Sequence, residues 1–130
     1  MLYDSFASDL ASGNIAPSRD TFKVLLVKDY VFNASHAKVA DVASGEVAAS
    51  GYTKGGKVSA VTVKKVGSVT TLEFSDVRWD ISDSMAATGS VVYTDAGLVM
   101  YLDFGKVVSC TDSTFTCHFA RGLGISSGGI

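Results

Sequence analysis

Cys117 and His118 are adjacent in this chain and are the two residue types of a thiol–imidazole nucleophile. On a strand, however, neighbouring side chains point to opposite faces, and a nucleophile needs its base within hydrogen-bond reach. His36 sits far upstream in a loop, and nothing in the sequence joins it to Cys117. Asp76, Asp80 and Asp83, in SDVRWDISDS, supply the hard oxygens a calcium ion prefers, but their spacing fits no cation loop and reads as turn-forming aspartates. GEVAASGYTKGG, from Gly45 to Gly56, is as glycine-rich as a phosphate cradle. It lacks the GxxxxGK[ST] order and no helix pattern follows, so it reads as a turn between strands. Asp103, Phe104 and Gly105 spell a kinase magnesium motif without the catalytic loop that gives it meaning. Acid, base and nucleophile never gather, so the chain is expected to be no enzyme and to need no cofactor or metal.

Composition narrows the partners. The 130 residues are 47% hydrophobic and 18% charged, with a formal charge of −2, against about 25% charged for an ordinary soluble domain. Apart from Lys64 and Lys65, which close the alternating run KVSAVTVKK as a solvated strand end, the lysines are scattered. A surface that tracks phosphates is not expected, so nucleic acid is not a partner. No apolar run approaches the roughly twenty residues that cross a bilayer, and MLYDSFASDL lacks the basic-then-apolar order of a secretory signal. No membrane partner is expected, and the chain reads as cytosolic when made. Low charge suits either strands rich in Val and Thr or a surface covered by partners. Cys110 and Cys117 flank TDSTFT, and a hairpin centred near Asp112 would set Cys110 opposite Thr114, so free buried thiols are expected.

Strands must position all of these residues. From Phe74 to Gly105, apolar runs are separated at intervals of about eight to twelve residues by Asp, Ser and Gly, as in an antiparallel meander. The expected fold is a single mainly β domain over 1–130, an antiparallel β-sandwich of jelly-roll-like or Ig-like kind with one short N-terminal helix. Residues 1–20 form the helix and arm. Leu2, Phe6 and Leu10 recur at helical spacing, Gly13 stops the helix, and a loop with Pro17 follows. Thr21 to Lys28 reads as a central strand with Phe22, Val24 and Leu26 on one face and Lys23, Leu25 and Val27 on the other. Tyr30 and Phe32 lie in a loop, Asp29 to His36, as core lids or exposed contacts. Ala37 to Val42 is a short strand or helical turn. Lys57 to Val66 and Ser68 to Phe74 read as a hairpin about Gly67, and VRWDI buries Val77, Trp79 and Ile81 while Arg78 and Asp80 face out as cross-strand charge partners. Ala87 to Thr94 pairs with Gly97 to Phe104, and Val107 to Cys110 with Phe115 to Phe119. The Gly/Ser-rich tail, 121–130, adds an edge strand at Leu123 to Ser126 or hangs free.

In order, SGNIAPSRDTFKVLLVKD, GYTKGG, FSDVRW, AATGSVVYTDAG and GLVMYLDFG resemble the segments of a family of small virion proteins of tailed bacteriophages. The places held are Thr21 to Leu26, Gly51 to Gly56, Phe74 to Trp79 and Tyr101 to Gly105. The chain departs from the pattern at Arg78 and in CTDSTFTCHF. The resemblance implies a β-sandwich structural component of the virion, a decoration, cement or head-fibre protein on the capsid exterior, made in the bacterial host cytoplasm. Its partners would be the major capsid protein or other virion proteins and further copies of itself, as trimers, docked through the N-terminal segment or a sheet edge. Leu2, Tyr3, Phe6, Leu10, Tyr30, Phe32 and Tyr52 are the candidate interaction residues. A tail, neck or baseplate part would share this fold and composition, and in a glycan- or receptor-binding sandwich exposed aromatics such as Tyr30, Tyr52, Tyr93 or Tyr101 would form the platform.

Overall fold

A computed structural model describes residues 2–16, 19–67, 69–117, 119 and 123–126. They form a mainly β protein of two antiparallel sheets with one short N-terminal helix. Helix α1 spans Asp4–Ser12, and Gly13 caps it at φ 81°, a left-handed conformation that glycine adopts without Cβ strain. The strands are β1 (Phe22–Val27), β2 (Lys57–Ser59), β3 (Val61–Val66), β4 (Val69–Phe74), β5 (Val77–Thr94), β6 (Gly97–Cys117) and β7 (Leu123–Ser126). One sheet has the order β2-β1-β5-β6 and the other β3-β4-β7. The expected central strand, the β3–β4 hairpin, the β5–β6 pairing across Asp95 and the tail strand are all present.

Alternation along β1 decides what packs on each side of the first sheet. Phe22, Val24 and Leu26 enter a core shared with Trp79, Val92 and Phe115 and with Leu72 and Phe74 of the second sheet. The Phe22 and Phe74 rings meet at 5.7 Å across the two sheets. Leu25 and Val27 face the other way, into a second cluster with Tyr3, Val91, Leu98 and Tyr101. β1 is therefore buried on both faces.

β5 and β6 form one long hairpin whose register shifts three times. At the first irregularity from the turn, Val99 is an extra residue opposite Val92 and Tyr93, and both Val99 and Met100 enter the shared core. At the others, Gly105 and Asp112 adopt φ 75° and 47°. The hairpin doubles back, bringing Cys117 Sγ to 3.6 Å from Ser90 Oγ and the Phe104 and Phe115 rings to 6.3 Å.

Three expectations are corrected. Val107 to Cys110 does not pair with Phe115 to Phe119: β6 runs unbroken from the first segment to Cys117 in the second, Cys110 lies opposite Met85, and Cys117 lies opposite Val77. Asp112 makes a bulge here, because β5 is long enough to pair with the whole segment. Lys57 to Val66 is two strands in different sheets, broken at Ala60. Ser75 fixes the break, its Oγ accepting from the Ala60 amide at 2.9 Å and its amide donating to the Ala60 carbonyl at 2.9 Å. Arg78 and Asp80 are not charge partners; they face Thr116 and Thr114, and Thr114 Oγ1 donates to Asp80 Oδ1 at 2.9 Å. Lys64 and Lys65 are exposed on β3, with Lys64 Nζ 3.1 Å from Glu73.

Candidate interaction surface

The N-terminal arm lies against β6. Leu2 bridges to Met100, the Tyr3 amide donates to the Val99 carbonyl at 3.2 Å, and the Asp4 amide donates to the Ala34 carbonyl at 2.9 Å. Tyr3 is thereby driven into the second cluster, 1% exposed, while Leu2 remains 46% exposed. The spacing of Leu2, Phe6 and Leu10 implied a common helix face, but α1 begins only at Asp4, and Leu2 precedes it in an extended bridge. Phe6 is buried in the shared core, and Leu10 packs against it.

Tyr30 and Phe32 fold back as lids over the second cluster, both half-buried. Phe32 stacks on Tyr101 at 5.8 Å and 12°, Tyr30 meets Tyr101 edge-on at 5.3 Å, and Tyr3 lies 5.0 Å from Phe32. The Tyr30 hydroxyl sits 3.0 Å from the Tyr3 hydroxyl and 2.7 Å from His36 Nδ1. Three of the seven candidate residues, Tyr3, Tyr30 and Phe32, thus form one aromatic cluster, with Val31 82% exposed at its rim.

Tyr52 lies elsewhere, 5.4 Å from Trp79 in the shared core. Its hydroxyl accepts from the Leu26 amide at 3.1 Å and donates to Glu46 Oε2 at 2.6 Å. The same oxygen accepts from the Gly55 amide at 2.7 Å, Lys54 Nζ is 3.7 Å from Oε1, and the Glu46 side chain is only 4% exposed. The Tyr93 hydroxyl donates to the Gly55 carbonyl. Glu46 and His36 carry no periodic signal in the sequence; only the glycines around Glu46 mark a place where backbone is tightly held.

Tyr30, Tyr52, Tyr93 and Tyr101 do not share one exposed face. Tyr93 and Tyr101 are buried, and the Tyr52 hydroxyl is committed to Glu46. Asp76, Asp80 and Asp83 hold three separate groups: the Phe119 amide, the Thr114 hydroxyl and the Ser50 amide. Asp103 accepts from the Gly105 amide at 2.8 Å in a local turn. Cys117 is buried near Ser90 and His36 faces the second cluster, so the two are not brought together, while the Cys117–His118 pair involves a residue outside those described. Both cysteines are free. Pro17 and most of the tail beyond Phe119 also fall outside the described residues.

Burial pushes the Cys117 thiol up, with the Ser90 hydroxyl opposing and Asp76 adding to the rise. Burial likewise raises Tyr3, helped by Tyr30, and Tyr52, helped by the Glu46 carboxylate. A phenol whose folded value lies above its unfolded one contributes stability fully below the unfolded value, and that contribution is lost as pH rises toward the folded value. The urea midpoint should therefore hold steady up to about pH 8, begin to fall through Cys117 from about pH 8.5 and fall further through the phenols from about pH 10, less steeply in that upper range in Tyr52→Phe than in the wild type. Parallel curves for the two proteins would rule out Tyr52 as a source of the alkaline loss.

Among the described residues, no helix is long and apolar enough to cross a membrane, and no three metal-ligating side chains converge. Comparison with protein-family models finds no match, nor do comparisons with curated proteins and with solved structures.

Proposed function

We propose that this protein is a structural component of a tailed-bacteriophage virion, decorating the head exterior as a cement protein that binds the major capsid protein and further copies of itself, as trimers. What supports this reading is the ordered set of segments that resemble those of small virion proteins, three of which meet in space. Gly56 of the GYTKGG turn lies against the Val24 backbone of β1, Gly51 lies against the Asp80 backbone beside Trp79, and Tyr52 bridges Leu26 and Trp79. The residues that carry the resemblance are thus those that clasp the loop onto the sheets. The chain is low in charge, 18%, and exposes the apolar residues Leu2, Val31, Val39, Val58, Val63 and Val107. β6 is an edge strand of its sheet; its turn-proximal end is held by Leu2 at Met100, by the Tyr3 amide at Val99 and by the Ala37 carbonyl at Leu98, and an edge strand is where a neighbour adds.

Purified protein mixed with undecorated heads should bind to saturation at symmetry-related positions seen by electron microscopy. Absence of saturable binding, or antibody labelling of the tail alone, would overturn the head assignment.

A further inference from the structure

The geometry points to His36 as a pH-sensitive latch for the N-terminal arm, acting through the hydroxyl chain His36–Tyr30–Tyr3. The Tyr30 hydroxyl has one proton and two oriented neighbours, His36 Nδ1 at 2.7 Å and the Tyr3 hydroxyl at 3.0 Å. When Nδ1 is an unprotonated acceptor, Tyr30 donates to it and accepts from Tyr3, so every proton in the chain has an acceptor. When the imidazole is protonated, Nδ1 becomes a donor that Tyr30 must accept, so three donors face the two phenol oxygens and one hydroxyl proton of the Tyr30–Tyr3 pair is left without an acceptor. Around that pair lie Phe32, Leu25 and Val27, and Tyr30 is the only hydrogen-bond partner of the Tyr3 hydroxyl among the described residues. Acid thus strands a hydroxyl proton in the pair that pins the arm.

The other groups near His36 do not cancel this. Asp41, from the 3-10 turn Val39–Asp41, is solvent-exposed, its carboxylate holding the Ala37 and Lys38 amides. Lys38 Nζ is turned to the Ala96 carbonyl. Tyr101 of β6 presents a neutral phenol. The inference does not depend on the virion role.

Amide hydrogen exchange read by NMR at Tyr3 and Asp4, whose amides tie the arm to Val99 and Ala34, tests it. Between about pH 7.5 and about pH 5, after correction for intrinsic chemistry, their protection should fall about tenfold, the scale of one lost buried hydrogen bond. The β1–β5 ladder should keep its protection. In His36→Gln, whose amide oxygen accepts at either pH, and in Tyr30→Phe, which cuts the chain, protection should not change with pH. A wild type that shows no change, or a change that survives in either variant, overturns the latch.

Discussion

Gly56→Ala is expected to be the most damaging single substitution in this chain. Gly56 adopts φ +84°, and a Cβ there would lie 2.0 Å from the Val24 carbonyl oxygen, 2.6 Å from the Val24 carbonyl carbon and 2.9 Å from Leu25 Cα. Left-handed backbone alone costs a non-glycine residue about 1–2 kcal/mol. The clash adds to this and cannot be relieved by turning a side chain, because every atom met is backbone. That backbone cannot retreat either, since β1 is hydrogen-bonded to β2 on one side and β5 on the other. A cost above about 4 kcal/mol follows, in the range of the most severe single substitutions. Against a total stability of about 5–15 kcal/mol, the variant should melt roughly 12 °C or more below the wild type or be recovered unfolded. Gly13→Ala supplies the contrast: φ is +81° there too, but nothing lies within 4 Å of the added Cβ, so only the conformational cost of about 1 kcal/mol applies. Equal melting temperatures for the two variants would mean that the loop does not sit on Val24 in solution.

This close approach also marks the boundary of what the sequence reveals. Period-two alternation in FKVLLV placed β1 and sorted its two faces, because a strand buried on both sides must carry apolar residues at both parities, and Lys23 alone breaks the run. VRWDI showed its buried Trp79 by the other pattern, apolar residues at one parity only. The seam at Ala60 left a faint mark, the apolar parity switching from Val58 and Ala60 to Val61 and Val63, while the break itself depends on hydrogen bonds from Ser75, distant in sequence. TDST composition fits a turn and a bulge equally well, and the length of β5 decided between them. At the aromatic cluster, Tyr30 and Phe32 were visible as candidate lids, but their partner His36 was not, since a loop has no periodicity to declare a contact. Tyr3 was obscured by a helical repeat beginning at Leu2, one residue before the N-cap position. The glycine density of GEVAASGYTKGG announced tight backbone geometry without saying that a carboxylate was the object enclosed.

That carboxylate sets the second large expectation. Glu46→Ala removes the acceptor shared by the Tyr52 hydroxyl and the Gly55 amide, leaving two donors in a site where the lost side chain was almost wholly buried. Stranding a buried donor costs about 1–3 kcal/mol, so two together should lower stability by about 3–5 kcal/mol. Glu46→Gln keeps the length and one carbonyl oxygen able to accept from both donors, so its loss should be smaller, about 1–2 kcal/mol. Lys54→Ala separates charge from geometry: Lys54 is mostly exposed and 3.7 Å from Oε1, a pair worth at most about 1 kcal/mol. Tyr52→Phe leaves the Leu26 amide without its acceptor as well as depriving Glu46 of a donor. Combined with Glu46→Ala, it should therefore cost less than the sum of the two single losses, by about 1–2 kcal/mol. Urea midpoints in the order Lys54→Ala, Glu46→Gln, Glu46→Ala, from most to least stable, would establish that the carboxylate acts as an internal acceptor holding the Gly51 to Gly56 clasp on β1. Equal midpoints for Lys54→Ala and Glu46→Ala would reduce it to an ordinary surface ion pair and leave the loop fastened by the two glycine contacts, the Tyr52 hydroxyl on the Leu26 amide and the Tyr93 hydroxyl on the Gly55 carbonyl.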